Sequence, residues 1–524
     1  MIGTRLRTRA ATAGAAAVAG LALALTGCAG GGSGGGGAGG GGGGGGGSGG
    51  ALNLGAITTS TTFAAAGSYW ANESPYQQAV YDQLLHETPE AKVVPWLATS
   101  WSYNANKTVL TMKLRTDVKF TDGTPFNATV AAQNILRFRD GTSPNKANLA
   151  LVAGAKAVDP ATLQITLKAP DPALLIYLAQ NAGSQESPKA FSASSSKTVP
   201  VGSGPYTLDT GSTVIGSKYV FKKNPSYWNK SNQHYDTLTI NVYQNISTQV
   251  NAIKGGQVNG LPLIDNSAND TVKGSGYTLY PHELDWQGIM LLDRGGKMVP
   301  ALAKAPVRQA INYAIDRAAM LKAVDSGNGT VSGQIFNKVS AAYTPSLDNT
   351  YPYNPSKAKQ LLAQAGYPNG FTLPMPEVPV FSQTVYDLIK QYLGAVGIKV
   401  SYTQVALNDA IANILAPKYP VAFFRLQEDP TAWQVANFSL TKNAVFNPFH
   451  VDDPKIESLV GTIQAGSTAQ AGAASKQLNA YVVQQADVNP WYRVAGNFAA
   501  DKTTVVVQQA DNAYPYLWNI TPKG

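Results

Sequence analysis

YNPSKAKQLLAQAGYPNGFTLPM (353–375) reads as a helix that hands the chain to a strand. Asn354 is a good N-cap and Pro355 suits the first helical position, where a missing N–H costs nothing. Ala358, Leu361, Leu362 and Ala365 form one apolar stripe, and Gly366 stops the helix. The turn 367–370 leads into an extended segment, 371–375, which Pro374 confines to an edge or an end of a sheet. Further on, Val385, Leu388, Ile389, Tyr392 and Leu393 repeat at helical spacing, and 398–402 alternates as a strand. Strand, helix, strand implies an α/β lobe.

The same grammar extends in both directions. A helix starts at Pro306 and sets Val307, Ile311, Ala314, Ile315 and Ala318 on one face, with Asp316 and Arg317 pointing away. Upstream, Trp101 and Tyr103 alternate with polar residues, Asn104 to Lys107 supply a turn, and Leu110, Met112 and Leu114 alternate again, which is a hairpin with one buried face. A helix follows over about 128–138, and strands recur at 219–222 and 238–242. No short internal repeat interrupts this mixed α/β pattern.

The N-terminus is of another kind. Arg5, Arg7 and Arg9 precede an Ala/Leu/Val-rich run, 10–25, and a small-residue site, the pattern of a targeting segment too short to span a bilayer well. Leu25, Thr26, Gly27 and Cys28 resemble the lipobox of bacterial lipoproteins, in which the chain is cut before Cys and the thiol is lipidated. Cys28 is the only cysteine, so it has no intramolecular disulfide partner, and lipidation gives the thiol a purpose. Residues 29–50 are glycine apart from Ala29, Ser33, Ala38 and Ser48, a tether that cannot pack. Its r.m.s. span is about 25 Å, and fully extended it reaches about 75 Å. The chain carries 40 basic and 31 acidic residues, a net +9. Without the three arginines of the leader the balance is 37 minus 31, or +6. Lys and Arg are scattered, without the stripe that nucleic-acid binding needs. The residues after Gly50 suffice for two or three domains, and no second segment there is long and apolar enough to cross a membrane.

Several segments together resemble the family 5 solute-binding proteins, the dipeptide, oligopeptide and nickel receptors of ABC importers. They are LRTDVKFTDGTPFNATVAAQNILRF (114–138), PVGSGPYTL (200–208), KNPSYW (223–228), APVRQAINYAIDRAAM (305–320) and the opening helix-and-strand stretch through Leu373. Their local roles are structural: Asp122 and Gly123 make a turn, Gly202, Gly204 and Pro205 shape a tight loop, and Asn224 and Pro225 favour another turn. The resemblance implies an α/β, two-lobed periplasmic-binding-protein-like fold of type II with an extra subdomain in the first lobe. It divides the chain into a signal peptide (1–28), a tether (29–50), a first-lobe core (51–85, 198–282 and 496–524), the extra subdomain (86–197) and a second lobe (283–495). A cleft between the lobes closes on the solute. The implied partners are a small-molecule or peptide ligand, the permease and ATPase subunits of an ABC importer, and a membrane held through the lipid anchor. The expected place is the outer face of the bacterial cell membrane, as a monomer, with no cofactor and no nucleic acid.

In peptide-binding members of the family an Asp of the second lobe pairs with the ligand's amino terminus, in a segment shaped aromatic-x-x-Asp-x-x-x-Pro. FFRLQEDPTAW (423–433) corresponds to it, and aligning Pro430 puts Leu426 at the anchoring position. Leucine cannot neutralise an ammonium group. Glu428 or Asp429 stands near enough to take the role, although a surface turn beginning Glu-Asp-Pro is the commoner explanation of such residues. Arg425 favours an anionic or carbonyl-bearing solute, since guanidinium offers planar paired donors. Trp70, Trp286 and Trp433 are aromatic candidates for the cleft, and the resemblance places Asn72, Glu73 and Ser74 at the first-lobe contacts. His86, His234, His282 and His450 have no metal-ligand spacing, so no protein metal site is expected. No Gly-x-Ser-x-Gly elbow is present. His86 with Glu87 and His282 with Glu283 lack the second His of a zinc-protease helix, so no catalytic residues are expected. A short peptide is the leading solute. An oligosaccharide or a metal chelate, a tethered hydrolase and a surface adhesion protein are the alternatives.

Overall fold

A computed structural model describes residues 50–524. The signal segment, Cys28 and residues 29–49 of the tether lie outside the described residues.

Two strands organise the body. Thr278–Leu291 and Val488–Ala500 run antiparallel along almost their whole length, from the Thr278–Ala500 pair to the Met290–Val488 pair. They belong to a nine-stranded sheet whose order is 421–427, 278–291, 488–500, 260–262, 51–56, 237–242, 218–223 and 206–208, with Gly329–Val331 also pairing on 488–500. Ala51–Ala56 lies parallel to Thr237–Val242 at the heart of one lobe. Val421–Gln427 pairs with the far half of 278–291 in the other. The register slips between Glu283 and Asp285 and again between Gln287 and Gly288, and such bulges bend a strand where a lobe must turn.

Each lobe has its own core. Leu52, Leu54, Tyr76, Tyr219, Phe221, Ile240 and Phe498 gather on the first sheet. The hairpin Ala98–Tyr103 and Val109–Leu114, with Val152–Asp159 and Thr162–Leu167, makes a separate four-stranded sheet packed on the helix Ala128–Asp140. In the second lobe, Ile289, Ile311, Leu362, Ile389 and Phe423 cover one face of the sheet. Trp286, Met290, Phe424, Leu426 and Phe446 cover the other.

Most local expectations hold. Asn354 caps Pro355–Gln364 by accepting from the Lys357 N–H at 2.8 Å. Phe371–Glu377 pairs with Ile398–Gln404 in a two-stranded parallel sheet, in which Pro374 withholds no ladder bond from a third strand. The loop glycines are forced by close approach: a Cβ on Gly202 would lie 1.9 Å from the Val80 carbonyl oxygen, and one on Gly204 2.5 Å from the Val80 carbonyl carbon. One expectation fails. The helix from Pro306 ends at Ala314, and a second runs Arg317–Asp325 with Asp316 as its cap, accepting from the Ala319 N–H at 3.0 Å. Arg317 does not point to solvent. Its guanidinium is buried and donates to the carbonyls of Pro490, Asn312 and Tyr351. Three carbonyls from three separate segments outweigh a periodicity that treats every arginine as a surface residue.

Candidate functional site

The candidate site centres on the end of the second lobe's edge strand, Val421–Gln427. Along 421–427, Trp286 stands opposite Leu426 and Gln287 opposite Arg425, while across 278–291 Trp286 meets Arg493 and Gln287 meets Tyr492. Directly paired residues share a face, so Leu426, Trp286 and Arg493 lie on one side and Arg425, Gln287 and Tyr492 on the other. The chain then leaves the strand through Glu428, Asp429 and Pro430. Thr431 restarts it as the helix Ala432–Ser439 by capping the Gln434 N–H at 3.2 Å.

On the first side the side chains are enclosed. Trp286 and Leu426 are buried in the apolar cluster, and Trp433 packs partly against it. Glu428 is buried too. Its Oε2 accepts from Arg493 Nε at 2.9 Å, and Arg493 also donates to the Phe336 carbonyl at 2.9 Å and reaches Asp348 at 3.3 Å. Burial raises the Glu428 carboxyl to about 7, against the pull of Arg493. Glu428 is therefore engaged by a buried arginine in this conformation.

On the other side, Arg425 is half-buried. Its guanidinium lies 3.6 Å from Asp325 and 4.0 Å from Asp285, beyond hydrogen-bond reach of both. Asp325 Oδ2 is already taken by the Tyr492 hydroxyl at 2.7 Å and Gln287 Nε2 at 3.4 Å. Two acids beside one arginine leave this wall negative, which disfavours the anionic solute that Arg425 alone suggests.

Asp429 is half-buried at the mouth of the loop. Burial first, and then the Asp511 carboxylate, raise its pKa to about 7. Asp511 comes from the other lobe, on the C-terminal segment, where Gln509 Nε2 donates to its Oδ1 at 3.1 Å and Gln180 Nε2 to its Oδ2 at 3.3 Å. Beside it, Glu87 is pushed well above the usual carboxylate range by burial and by Asp511, and accepts from the Tyr516 hydroxyl at 2.8 Å. Trp70 packs edge-on against Tyr516, with ring centroids 6.1 Å apart. Tyr177 stands beside them: burial, then Asp171 and Asp429, raise its phenol. Among the described residues no Lys, Arg or His lies within ion-pair distance of Asp429, Asp511 or Glu87.

The remaining first-lobe candidates are mixed. Asn72 is half-buried and its carbonyl accepts from Thr58 at 3.5 Å. Glu73 is buried, raised to about 7 chiefly by that burial, and accepts from the backbone and hydroxyl of Thr61 at 2.9 and 3.1 Å. Ser74 is fully buried and bonded to Asn512 at 2.8 Å. Sequence reading weighed Glu87 only beside His86 as an incomplete zinc-protease motif, and did not single out Tyr177, Gln180, Asp511 or Tyr516. These five come from three distant stretches, and no spacing or period links them. Among the described residues no group of three or more His, Cys, Asp or Glu is placed to hold a metal ion, and no helix is long and apolar enough to cross a membrane.

The comparisons agree with this architecture. The model of the bacterial extracellular solute-binding proteins, family 5 middle region, matches residues 92–446. The glutathione-binding protein GsiB of Escherichia coli K12 is 31% identical over 368 residues, 68% of this chain and 70% of that protein. HbpA2 from Haemophilus parasuis superposes with a TM-score of 0.81 at 22% identity, over 90% of this chain and 100% of its own. DppA from Helicobacter pylori, solved with the peptide STSA, gives 0.70 at 18%, over 91% and 98%. The two strands shared by both lobes, the extra four-stranded sheet and the match across two thirds of the sequence have one reading: the chain belongs to family 5 of the bacterial extracellular solute-binding proteins.

Proposed function

We propose that the chain is the solute-binding lipoprotein of an ABC importer, held at the outer face of the cell membrane through Cys28, and that it captures a short peptide by its free amino group. In this reading 51–85, 198–282 and 496–524 form the first-lobe core, 86–197 its subdomain and 283–495 the second lobe. The observation that carries the reading is a group of acids with no cation in ion-pair reach among the described residues: Asp429, raised by burial and by the Asp511 charge, and on the first lobe Asp511 and Glu87, held by Gln180 and Tyr516. An ammonium group between them removes a repulsion that otherwise opposes closure, and contact with both lobes is what couples a ligand to a hinge. The whole chain is positive, at +9, so the acidity is local to the cleft. GsiB is named for glutathione and DppA was solved with a peptide, and both ligands are peptides. Trp70, Asn72 and Trp433 supply flat or polar flanks. Arg425, fixed near Asp325, is set to take a peptide carbonyl. The solute is passed unchanged to the permease.

A thermal-shift comparison of the full chain with trialanine, N-acetyl-trialanine and reduced glutathione tests this. Free-amino peptides are expected to stabilise it, by about 2.7 kcal/mol at one hundred times the dissociation constant, and the acetylated peptide is not. Equal stabilisation by both forms of trialanine, or conversion of any bound peptide to product, refutes the reading. For the anchor, incorporation of an alkyne-labelled fatty acid is expected in the wild type and absent in Cys28→Ser.

A further inference from the structure

The four-stranded subdomain of the first lobe also reaches the second lobe at the end of the helix Pro454–Ala465. Lys107 sits at the tip of the hairpin between Ala98–Tyr103 and Val109–Leu114. Its ammonium group donates to the carbonyl of Gly466, the residue that closes the helix Pro454–Ala465 of the second lobe. From the last turn of the same helix, Gln464 Nε2 donates to the Pro170 carbonyl at 2.9 Å, returning to the subdomain just beyond its strand Thr162–Leu167. Two hydrogen bonds of opposite direction thus join one helix end to two neighbouring loops.

The hairpin tip is shaped for this. Lys107 has φ 54°, the left-handed region where glycine or asparagine is the easy choice and an L side chain is strained. Asn104 holds the turn by accepting from the N–H groups of Thr108 and Val109 at 2.8 and 2.9 Å. A turn wanting only stability would carry glycine at 107. The residue present is instead the one that extends a long cation to a helix C-terminus, where exposed carbonyls and the helix dipole favour positive charge.

We infer that the subdomain is a clasp: Lys107 and Gln464 hold the lobes closed through the end of helix 454–465, whatever solute fills the cleft. The clasp is argued apart from the peptide reading, since neither residue is hydrogen-bonded or ion-paired to Asp429 or Asp511. It stabilises the closed form in the absence of solute and slows its reopening. Breaking it moves the equilibrium toward the open form without altering which solutes are preferred.

Lys107→Gly separates this role from a structural one, because glycine relieves the left-handed strain while removing the ammonium group. Small-angle scattering of the ligand-free full chain is compared for wild type, Lys107→Gly, Gln464→Ala, the double variant and the remote surface variant Lys359→Ala. A larger radius of gyration and maximum dimension are expected for the clasp variants, greatest in the double variant, and none for Lys359→Ala. Thermal unfolding establishes that each variant is folded; should Gln464→Ala fail, Lys107→Gly and Lys107→Asn decide alone. Scattering curves of folded Lys107→Gly and Lys107→Asn that superpose on wild type overturn the clasp.

Discussion

Replacing Leu426 by aspartate puts back the residue that the peptide-binding pattern calls for, and the structure says the change is ruinous. Leu426 is 7% exposed and shares a cluster with Trp286, Met290 and Phe424. Removing its side chain from that cluster forfeits about 1.5–3 kcal/mol of burial. The new carboxyl must then stay neutral in an apolar setting. Near pH 7.5 that means holding a proton roughly 3.6 units above an ordinary aspartate, about 5 kcal/mol at 1.36 kcal/mol per unit. The sum, about 6–8 kcal/mol, rivals the stability of an ordinary domain, about 5–15 kcal/mol. The sign with pH follows. A folded-state pKa raised above the unfolded value leaves the protein whole below about pH 4 and penalises it as pH rises. At about pH 5.5 the second contribution falls to about 2 kcal/mol. Leu426→Ala shares the first loss and lacks the second. Urea unfolding followed by tryptophan fluorescence is therefore expected to show Leu426→Asp far below Leu426→Ala at pH 7.5, with about 3 kcal/mol of the gap closing at pH 5.5. If Leu426→Asp matches Leu426→Ala at both pH values and binds free-amino peptides more tightly, Leu426 faces an open cleft and the assignment to Asp429 fails.

Three further outcomes are expected. Asp429→Asn should weaken binding of free-amino peptides about tenfold or more, as loss of a charge-assisted contact does, measured by calorimetry. In the ligand-free protein it should raise the melting temperature near pH 8 and not near pH 4, because the folded carboxyl, raised to about 7, costs stability that builds up between about pH 4, where the unfolded aspartate ionises, and pH 7. His86→Phe should keep the stack between Trp96 and Trp518, whose centroids lie 3.5 and 3.8 Å from the His86 ring. Burial holds the His86 pKa well below its usual value, so wild type loses stability as pH falls below about 6.5 and this variant should lose less, as melting curves between pH 7 and 5 will show. Gly202→Ala should cost more than about 3 kcal/mol, the upper range for single substitutions, since its Cβ would lie 1.9 Å from the Val80 oxygen; chemical denaturation measures it.

Helices and strands in this chain were legible wherever one face is apolar and a cap or a glycine marks the end. Asn354 with Gly366 and the hairpin from Trp101 to Leu114 fit that rule. The break at Ile315 was not legible, because Ile315 and Ala318 continue the apolar stripe of the preceding helix in sequence. Only Asp316 turning to cap the next helix interrupts it in space. The site was legible in one half only. Glu428 and Asp429 could be picked out as acids beyond a strand, yet nothing local told them apart. Their counterparts Asp511 and Glu87 are far away in sequence and close only after the chain has returned to the first lobe.

What separates Glu428 from Asp429 is the phase of a strand buried on both faces. Amphipathic alternation normally tells which side of a strand is inside, but 421–427 has the Phe423 cluster on one face and the Phe424 cluster on the other, and a strand buried twice carries no such mark. The phase is set instead by register with its neighbour. Trp286 opposite Leu426 and Arg493 opposite Trp286 place an arginine on the side toward which Glu428 continues. Glu428 is therefore consumed by Arg493, and Asp429, one residue later and past the last ladder pair at Gln427, is released toward the other lobe. Held by a loop whose next residues are Pro430 and the Thr431 cap, Asp429 can meet Asp511 only when the lobes approach. On the proposed function, an anchor on the strand would hold an amine whether the cleft is open or shut, whereas Asp429 would tie amine capture to closure itself.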